Sequence, residues 1–234
     1  MKKNNSRILI ILAALLSLST AQAGVVLGVD TGIGGMQNTE VTPAMVNDFF
    51  AKGNIHPTTN TYNNINQSVY RPYIGYAFTQ GHWQFGPELG YWNYGDNHYQ
   101  VYGNFQYPGT PMSSVFNITI NDSGYAVDLL MDVRYVFNHQ FSAFVKAGPA
   151  YVTQKTSIII TIMSRNIQDQ IDKYAILPEG VIGASYQLTP ALAIDASYQI
   201  IMAGSGGADF NAVVENNVQV STVASYMLGM HYNF

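Results

Sequence analysis

The chain has 234 residues, a formal net charge of −4 and no cysteine, and only 10% of it is charged against 47% hydrophobic. Soluble domains carry about 25% charged residues, so a chain this poor in charge, with 17 tyrosines and 21 glycines, does not suit a water-solvated globule. Its apolar residues run along the whole length, which excludes a disordered chain, and the lack of any basic cluster excludes nucleic acid as a partner.

At the start of the chain, Lys2, Lys3 and Arg7 precede an apolar stretch from Ile8 to Leu18, followed by the small-x-small triplet Ala21-Gln22-Ala23. The apolar stretch is shorter than the roughly 20 residues of a membrane-spanning helix. The three parts together predict a secretory signal peptide over 1–23, cut before Gly24. Losing three basic residues and no acid takes the formal charge from −4 to −7. An exported chain without cysteine has no disulfide framework. No later stretch is long and apolar enough for a helical span, so any passage through a membrane is by strands.

Alternation and turn residues divide 24–234 into eight strands, near 25–35, 68–79, 83–94, 123–137, 141–153, 174–188, 191–202 and 218–234. Tight turns are expected at 80–82, 138–140 and 189–190, and long polar segments at 36–67, 95–122, 154–173 and 203–217. Short turns on one side and long loops on the other is the asymmetry of an outer-membrane barrel. The predicted fold is all-β: an eight-stranded antiparallel up-and-down transmembrane β-barrel with short periplasmic turns and four long extracellular loops. The even strand count puts both termini in the periplasm.

Each strand offers one register without a charge. Val25, Leu27, Val29, Thr31 and Ile33 open the series, and Tyr125, Val127, Leu129, Met131, Val133, Tyr135 and Phe137 continue it on strand four. A basic residue at the bilayer midplane costs roughly 2–4 kcal/mol, so these registers face lipid. The opposite registers hold Asp30, Arg71, Glu88, Asp128, Asp132, Arg134, Lys146, Glu179 and Asp195, interleaved with glycines. They are expected to form a polar network inside the barrel, six acids against three bases, which survives burial only through pairing or hydration. Aromatic girdles are expected at Phe78, Trp83, Phe137, Phe141, Tyr186 and Phe234 on the periplasmic side. Tyr70, Tyr91, Tyr125, Tyr151, Tyr174 and Tyr226 would form the outer one.

Three further features stand out along the chain. Pro72, Pro87, Pro149 and Pro178 fall inside strands, each removing a ladder donor. Pro149 and Pro178 lie on neighbouring strands at similar depth, a candidate lateral seam between strands five and six. Thr42 to Lys52 predicts a short helix with Thr42 as N-cap and Pro43 at its first position, presenting Phe49 and Phe50. Ser157 to Met163, apolar and β-branched, either extends strands five and six as a hairpin or forms an exposed sticky patch.

The eighth strand places Tyr226, Leu228, Met230, Tyr232 and Phe234 on one face. This ending resembles the C-terminal assembly signal of bacterial outer-membrane barrels. The stretch from Glu179 to Tyr198 is similar to the sixth strand, turn and seventh strand of opacity-like proteins, and the whole chain resembles the small eight-stranded barrels of the OmpA-type and opacity-type group. The resemblance implies an integral outer-membrane protein, delivered by the barrel-assembly machinery and surrounded by outer-membrane lipid and lipopolysaccharide. It also implies a monomer without enzymatic activity, its loops making adhesive or host-factor contacts. The alternative is a narrow channel for small apolar molecules with a lateral opening near strands five and six. An outer-membrane enzyme is third: Asp96 and His98 with Asp122 or Asp209 are the acids and histidine that meet best at the outer rim. The five histidines have no ligand spacing, so no metal is expected. No phosphate loop is present and no cofactor is expected.

Overall fold

The computed structural model describes residues 22–37, 58–64, 67–106, 113–162, 165–202, 204–205, 207–209 and 219–234. Eight long strands form the barrel: β1 (Gln22–Gln37), β2 (Gln67–Gln80), β3 (Trp83–Gln106), β4 (Ser113–Val136), β5 (Phe141–Ile162), β6 (Arg165–Gln187), β7 (Leu192–Ile201) and β8 (Thr222–Asn233). Every one pairs antiparallel with its neighbours in sequence, and β8 returns to β1 over Val26↔Asn233 to Gln37↔Thr222, so the sheet closes and has no edge within the ring. Closure lets a sheet cross a bilayer, because each backbone donor and acceptor finds a partner without water.

The turns at the periplasmic end follow from their residues. Gly81 takes a positive φ of 62° between β2 and β3. Asn138 accepts from the amides of Gln140 and Phe141 through its side-chain oxygen, and Thr189 does the same for Ala191 and Leu192. The expected cleavage point lies just inside β1: Gln22 and Ala23 pair with Thr79 and Phe78, while the closing ladder with β8 starts later, at Val26. The rest of the expected signal peptide, and the helix expected over 42–52, lie outside the described residues.

The strands are far longer than alternation within the membrane suggests. Residues 95–122, expected as a loop, are mostly strand, β3 and β4 pairing out to Gln106↔Ser113; in 154–173 the hairpin alternative holds, β5 and β6 pairing out to Ile162↔Arg165. A further strand, Thr58–Asn64, pairs with β3 along Thr58↔Asn104 to Asn64↔His98. These segments form a five-stranded sheet above the membrane. The period of two continues into it with its chemistry inverted. Inside the barrel β4 turns Asp128 and Arg134 inward and Leu129 and Met131 outward; above it Phe116, Ile118 and Ile120 are inward and buried, and Asn117 and Thr119 outward. β3 makes the same passage through a bulge between Asn93 and Asp96, where Gly95 adopts a φ of 75° and its amide donates to the Asn93 side chain at 3.0 Å.

The four strand prolines each leave a gap on one side only. Pro149 and Pro178 pair directly with each other, and the β5–β6 register runs unbroken from Phe141↔Tyr186 to Ile162↔Arg165. The seam expected between strands five and six is therefore closed. The reason lies in antiparallel geometry: Pro178 turns its carbonyl toward β7, accepting from Met202 N at 3.1 Å, so its missing donor also faces β7. The ring nitrogen of Pro149 likewise faces β4, where the ladder skips from Asp128↔Ala150 to Met131↔Ala147. Pro72 and Pro87 interrupt β2–β3 in the same way, between Tyr70↔Asn93 and Tyr73↔Gly90 and between Gly75↔Glu88 and Phe78↔Phe85. The glycines before Pro87 and Pro149 accommodate the stranded carbonyls. A Cβ on Gly86 or Gly148 would collide with the oxygen of Tyr76 or Leu129.

Candidate functional site

From the periplasmic turns upward, the lumen has two storeys of different chemistry. The lower one is a charge network centred on Arg71, whose guanidinium reaches Asp128 at 2.5 and 2.9 Å, Glu88 at 2.8 Å and Asp30 at 3.5 Å. Lys146 holds both Glu88 oxygens at 2.7 and 3.0 Å. Nearer the periplasm Arg134 donates to Ser185 at 2.7 Å and stands 3.5 Å from Asp132 and 3.8 Å from Asp195. Asp195 also accepts from Ser185 and lies 2.7 Å from His231 Nδ1. Glu179 accepts from Gln199. All nine charged residues singled out in the sequence thus turn into the barrel, eight of them buried and Asp132 half-buried.

Aromatic rings separate the charges. The Lys146 ammonium stands 4.5 Å from the centre of the Tyr73 ring, and the Arg134 guanidinium 4.8 Å from that of Phe144. Glycine makes the space. A Cβ on Gly28 would strike the Tyr73 ring, one on Gly183 the Phe144 ring, and one on Gly229 the Asp30 carboxylate. A void of about 30 Å³ beside Glu88, Asp132, Arg134 and His231 is wide enough for a water. A mouth of about 240 Å³ opens at the periplasmic end, lined by Gln84, Arg134, Asn138, Gln187 and Asn233 among others.

The upper storey is mainly apolar, with Asn97, Asp122, Gln154 and Lys173 buried beside it. Trp92, Tyr94, Val69, Val152, Leu177, Ile201, Val223 and Met227 pack together inside the ring, with Trp92 and Tyr94 wholly excluded from solvent. Tyr94 donates to the carbonyl of Thr153 at 2.7 Å, and the Gln154 side chain pairs with the backbone of Ser221 as a strand would, at 3.1 and 3.2 Å. The described side chains therefore fill the lumen at both levels.

The outside carries the complementary pattern. Tyr226, Leu228, Met230, Tyr232 and Phe234 all face outward and are exposed, and Phe234 N donates to Val25 O at 2.9 Å, tying the last residue to the first strand. Trp83 stacks edge-on to Tyr135, and Phe141 to Tyr186, near the turns; Tyr91 stacks on Tyr125, and Tyr198 packs against Tyr226, at the far side. The ten steps from Tyr125 to Tyr135 at about 3.3 Å each, tilted about 40°, give a belt roughly 25 Å tall, the height of an outer-membrane hydrocarbon layer.

Asp96 and His98 do not form a cluster with Asp122. Asp96 and His98 lie on the outward side of β3, whereas Asp122 is buried on the inward side of β4. Asp209 belongs to a short strand paired with β6, opposite Asp172. Sequence reasoning missed Tyr73, Phe144, Ser185, Gln199 and His231 as members of the interior network. The available signal was their parity: Tyr73, Phe144, Ser185 and Gln199 share an inward register with a charged residue of the same strand, and His231 lies on the inward register of β8, which has no charge.

A closed eight-stranded barrel with a charge-free outer belt and a charged interior is an integral outer-membrane barrel. The chain belongs to the OmpA-like transmembrane domain family, whose model matches residues 26–232. Similar solved structures include the attachment invasion locus protein Ail of Yersinia pestis, crystallised with the heparin analogue sucrose octasulfate (13% identity, 92% of this chain and 99% of that one, TM-score 0.41). Neisserial surface protein A (10%, 91% and 99%, TM-score 0.38) and OprG of Pseudomonas aeruginosa (13%, 92% and 96%, TM-score 0.42) are others. No curated protein matches the chain by sequence. Family membership places the protein in the bacterial outer membrane.

Proposed function

We propose that this protein is a non-enzymatic surface protein whose sheet above the membrane makes adhesive or host-factor contacts, while its filled barrel serves as an anchor. The observation that carries this reading is the contrast in height around the ring. β3 to β6 run 22 to 24 residues each, with β4 continuing roughly 40 Å along the strand beyond its outer tyrosine, whereas β7 and β8 have 10 and 12. A pore needs no such extension; a contact surface does. In the same reading residues 1–23 are a cleaved signal peptide, the face from Tyr226 to Phe234 is recognised by the barrel-assembly machinery, and the barrel is a monomer in outer-membrane lipid and lipopolysaccharide. The test is a pair of measurements on one variant in which β3–β4 and β5–β6 are cut back to the outer girdle. Planar bilayers holding the intact protein should be electrically silent, and cells bearing the shortened one should lose attachment to host cells or matrix. Steady conductance of the intact barrel, or attachment indifferent to the shortening, defeats the reading.

One observation favours a second reading, a lateral path for small apolar molecules. Among the described residues, the β6–β7 register runs to Glu179↔Ile201, with Met202 N still donating to Pro178 O at 3.1 Å, and β6 is next seen paired at Tyr174↔Gly207. Within that interval Ala175 and Leu177 turn into the apolar upper storey. The weak point lies between β6 and β7, one strand away from the seam expected from sequence, and Pro178 sits at its lower limit.

A further inference from the structure

We infer that the outward face of the sheet above the membrane binds the neutral polysaccharide chains of lipopolysaccharide standing in the same membrane. This deepens the surface-protein reading and rests on it. Just above the outer tyrosines the face still carries charge, at Asp96, and at Lys155 opposite Asp172. Higher up, its described side chains include neither an acid nor a lysine or arginine. They are mainly amides and hydroxyls in cross-strand rows, with Val115 and Ile159 as apolar members and His98 at the lower margin: Gln100 beside Thr119 and Ile159, then Tyr102 beside Asn117 and Thr161. Neighbouring members bond to one another, Gln100 to Asn117 at 3.0 Å and Thr161 to Asn166 at 2.8 Å, which orients these side chains along the face.

Such a surface matches one class of ligand. Each amide offers donors and acceptors together, and each hydroxyl can do either, which is what the hydroxyl groups of a neutral sugar require. Tyr102, 45% exposed, presents a ring on which a sugar face can stack with its phenol still solvated. A sulfated or phosphorylated chain would call for arginine or lysine, which these rows lack. The direction of the face selects the source. It is continuous with the lipid-facing belt, since Asn117 and Thr119 share the outward register of β4 with Val127 and Leu129. It looks sideways across the membrane plane, where the saccharide of surrounding lipopolysaccharide rises, and not upward toward a distant cell. The opposite face of the same sheet is occupied, with Val101 and Phe116 fully buried and packed on Ile158 and Ile160.

The experiment uses the full mature barrel in detergent, titrated with neutral O-polysaccharide released from lipopolysaccharide by mild acid and, separately, with heparin. Binding is read by side-chain amide NMR shifts and by calorimetry. Saturable binding of the neutral chain, shifts confined to asparagine and glutamine amides of this face, and a loss of about tenfold or more in affinity in Tyr102→Ala and in Thr119→Glu are expected. Both variants should keep the heat-resistant gel mobility of the folded barrel. Should either fail to fold, Asn117→Asp, which changes only charge and donor capacity, takes its place. No binding, unchanged affinity in the variants, preference for heparin, or self-association through this face overturns the inference. Host attachment that depends on the hairpins but is unaltered by Tyr102→Ala would leave the surface-protein reading standing while the polysaccharide inference fell.

Discussion

The lower and upper halves of β4 obey one rule and reach opposite chemistry. Between Tyr125 and Tyr135 the odd residues are apolar and face lipid, while Asp128 and Arg134 face the lumen. Between Ser114 and Asn121 the even residues Phe116, Ile118 and Ile120 are buried inward and the outward positions are mainly amide and hydroxyl. A sheet buries its oily face against whatever is less polar: lipid outside the ring within the bilayer, the protein interior above it. The membrane surface on this strand is thus the point where the apolar residues change parity, near Asp122 to Gly124.

The largest expected effect separates the two halves by what breaks. Arg71→Met leaves Asp30, Glu88 and Asp128 facing one another without their shared guanidinium, a loss of about 3–5 kcal/mol. The whole barrel should unfold earlier in urea and lose its heat-resistant mobility. Phe116→Ala removes a buried ring worth a similar amount, but within a cluster confined to the upper sheet. The β3–β4 hairpin should become sensitive to protease with the barrel transition unmoved. Equal shifts of the barrel transition in both variants would mean that the two halves fold as one unit.

A second pair probes the outer face alone. Leu129→Arg puts a charge in the lipid belt and should cost roughly 2–4 kcal/mol in a bilayer. Asn117→Arg, on the same face of the same strand, should change stability by about 0.5 kcal/mol or less. A large penalty at Asn117 would raise the membrane surface above the place the parity change marks. Gly148→Ala comes next, at about 1–3 kcal/mol, because its Cβ would meet the Leu129 carbonyl that Pro149 leaves without a donor. Unfolding in urea measures it.

Much of this architecture is legible in the chain itself. The strand count, the order, the turns and the lipid-facing registers all follow from alternation bounded by turn residues, because within the bilayer one face must be free of charge. The reach of the strands was not legible in the same way. In 113–123 the apolar residues other than Val115 fall on even positions while asparagine, serine, threonine and aspartate crowd the rest, a composition that reads as loop when the lipid-facing phase is taken as the template. The gaps beside the prolines needed the pairing register, since alternation shows that Pro149 and Pro178 share a depth but not which neighbour each nitrogen faces. Tyr73, Ser185, Gln199 and His231 escaped notice in the lumen because an uncharged or neutral side chain on the inward register does not announce that it closes a network.

The smallest expected effect bears on the boundary between the two storeys. Pro178 accepts from Met202 N but returns no hydrogen bond to it. Pro178→Ala supplies the missing N–H without crowding, because the position faces outward and is exposed. One restored ladder bond should stabilise the barrel by about 1 kcal/mol. It should also extend slow hydrogen exchange upward from Glu179 along the β6–β7 ladder. If apolar molecules leave the upper storey between these strands, their entry across the outer membrane, followed with a membrane-partitioning fluorescent naphthylamine, should slow in the same variant. Stabilisation with unchanged entry would show that the proline merely ends a ladder where β7 turns away, and the lateral path would be lost as a reading. Slower entry with the lumen electrically silent would give one barrel two faces of use, sugar outside the upper sheet and apolar solute through the wall beneath it.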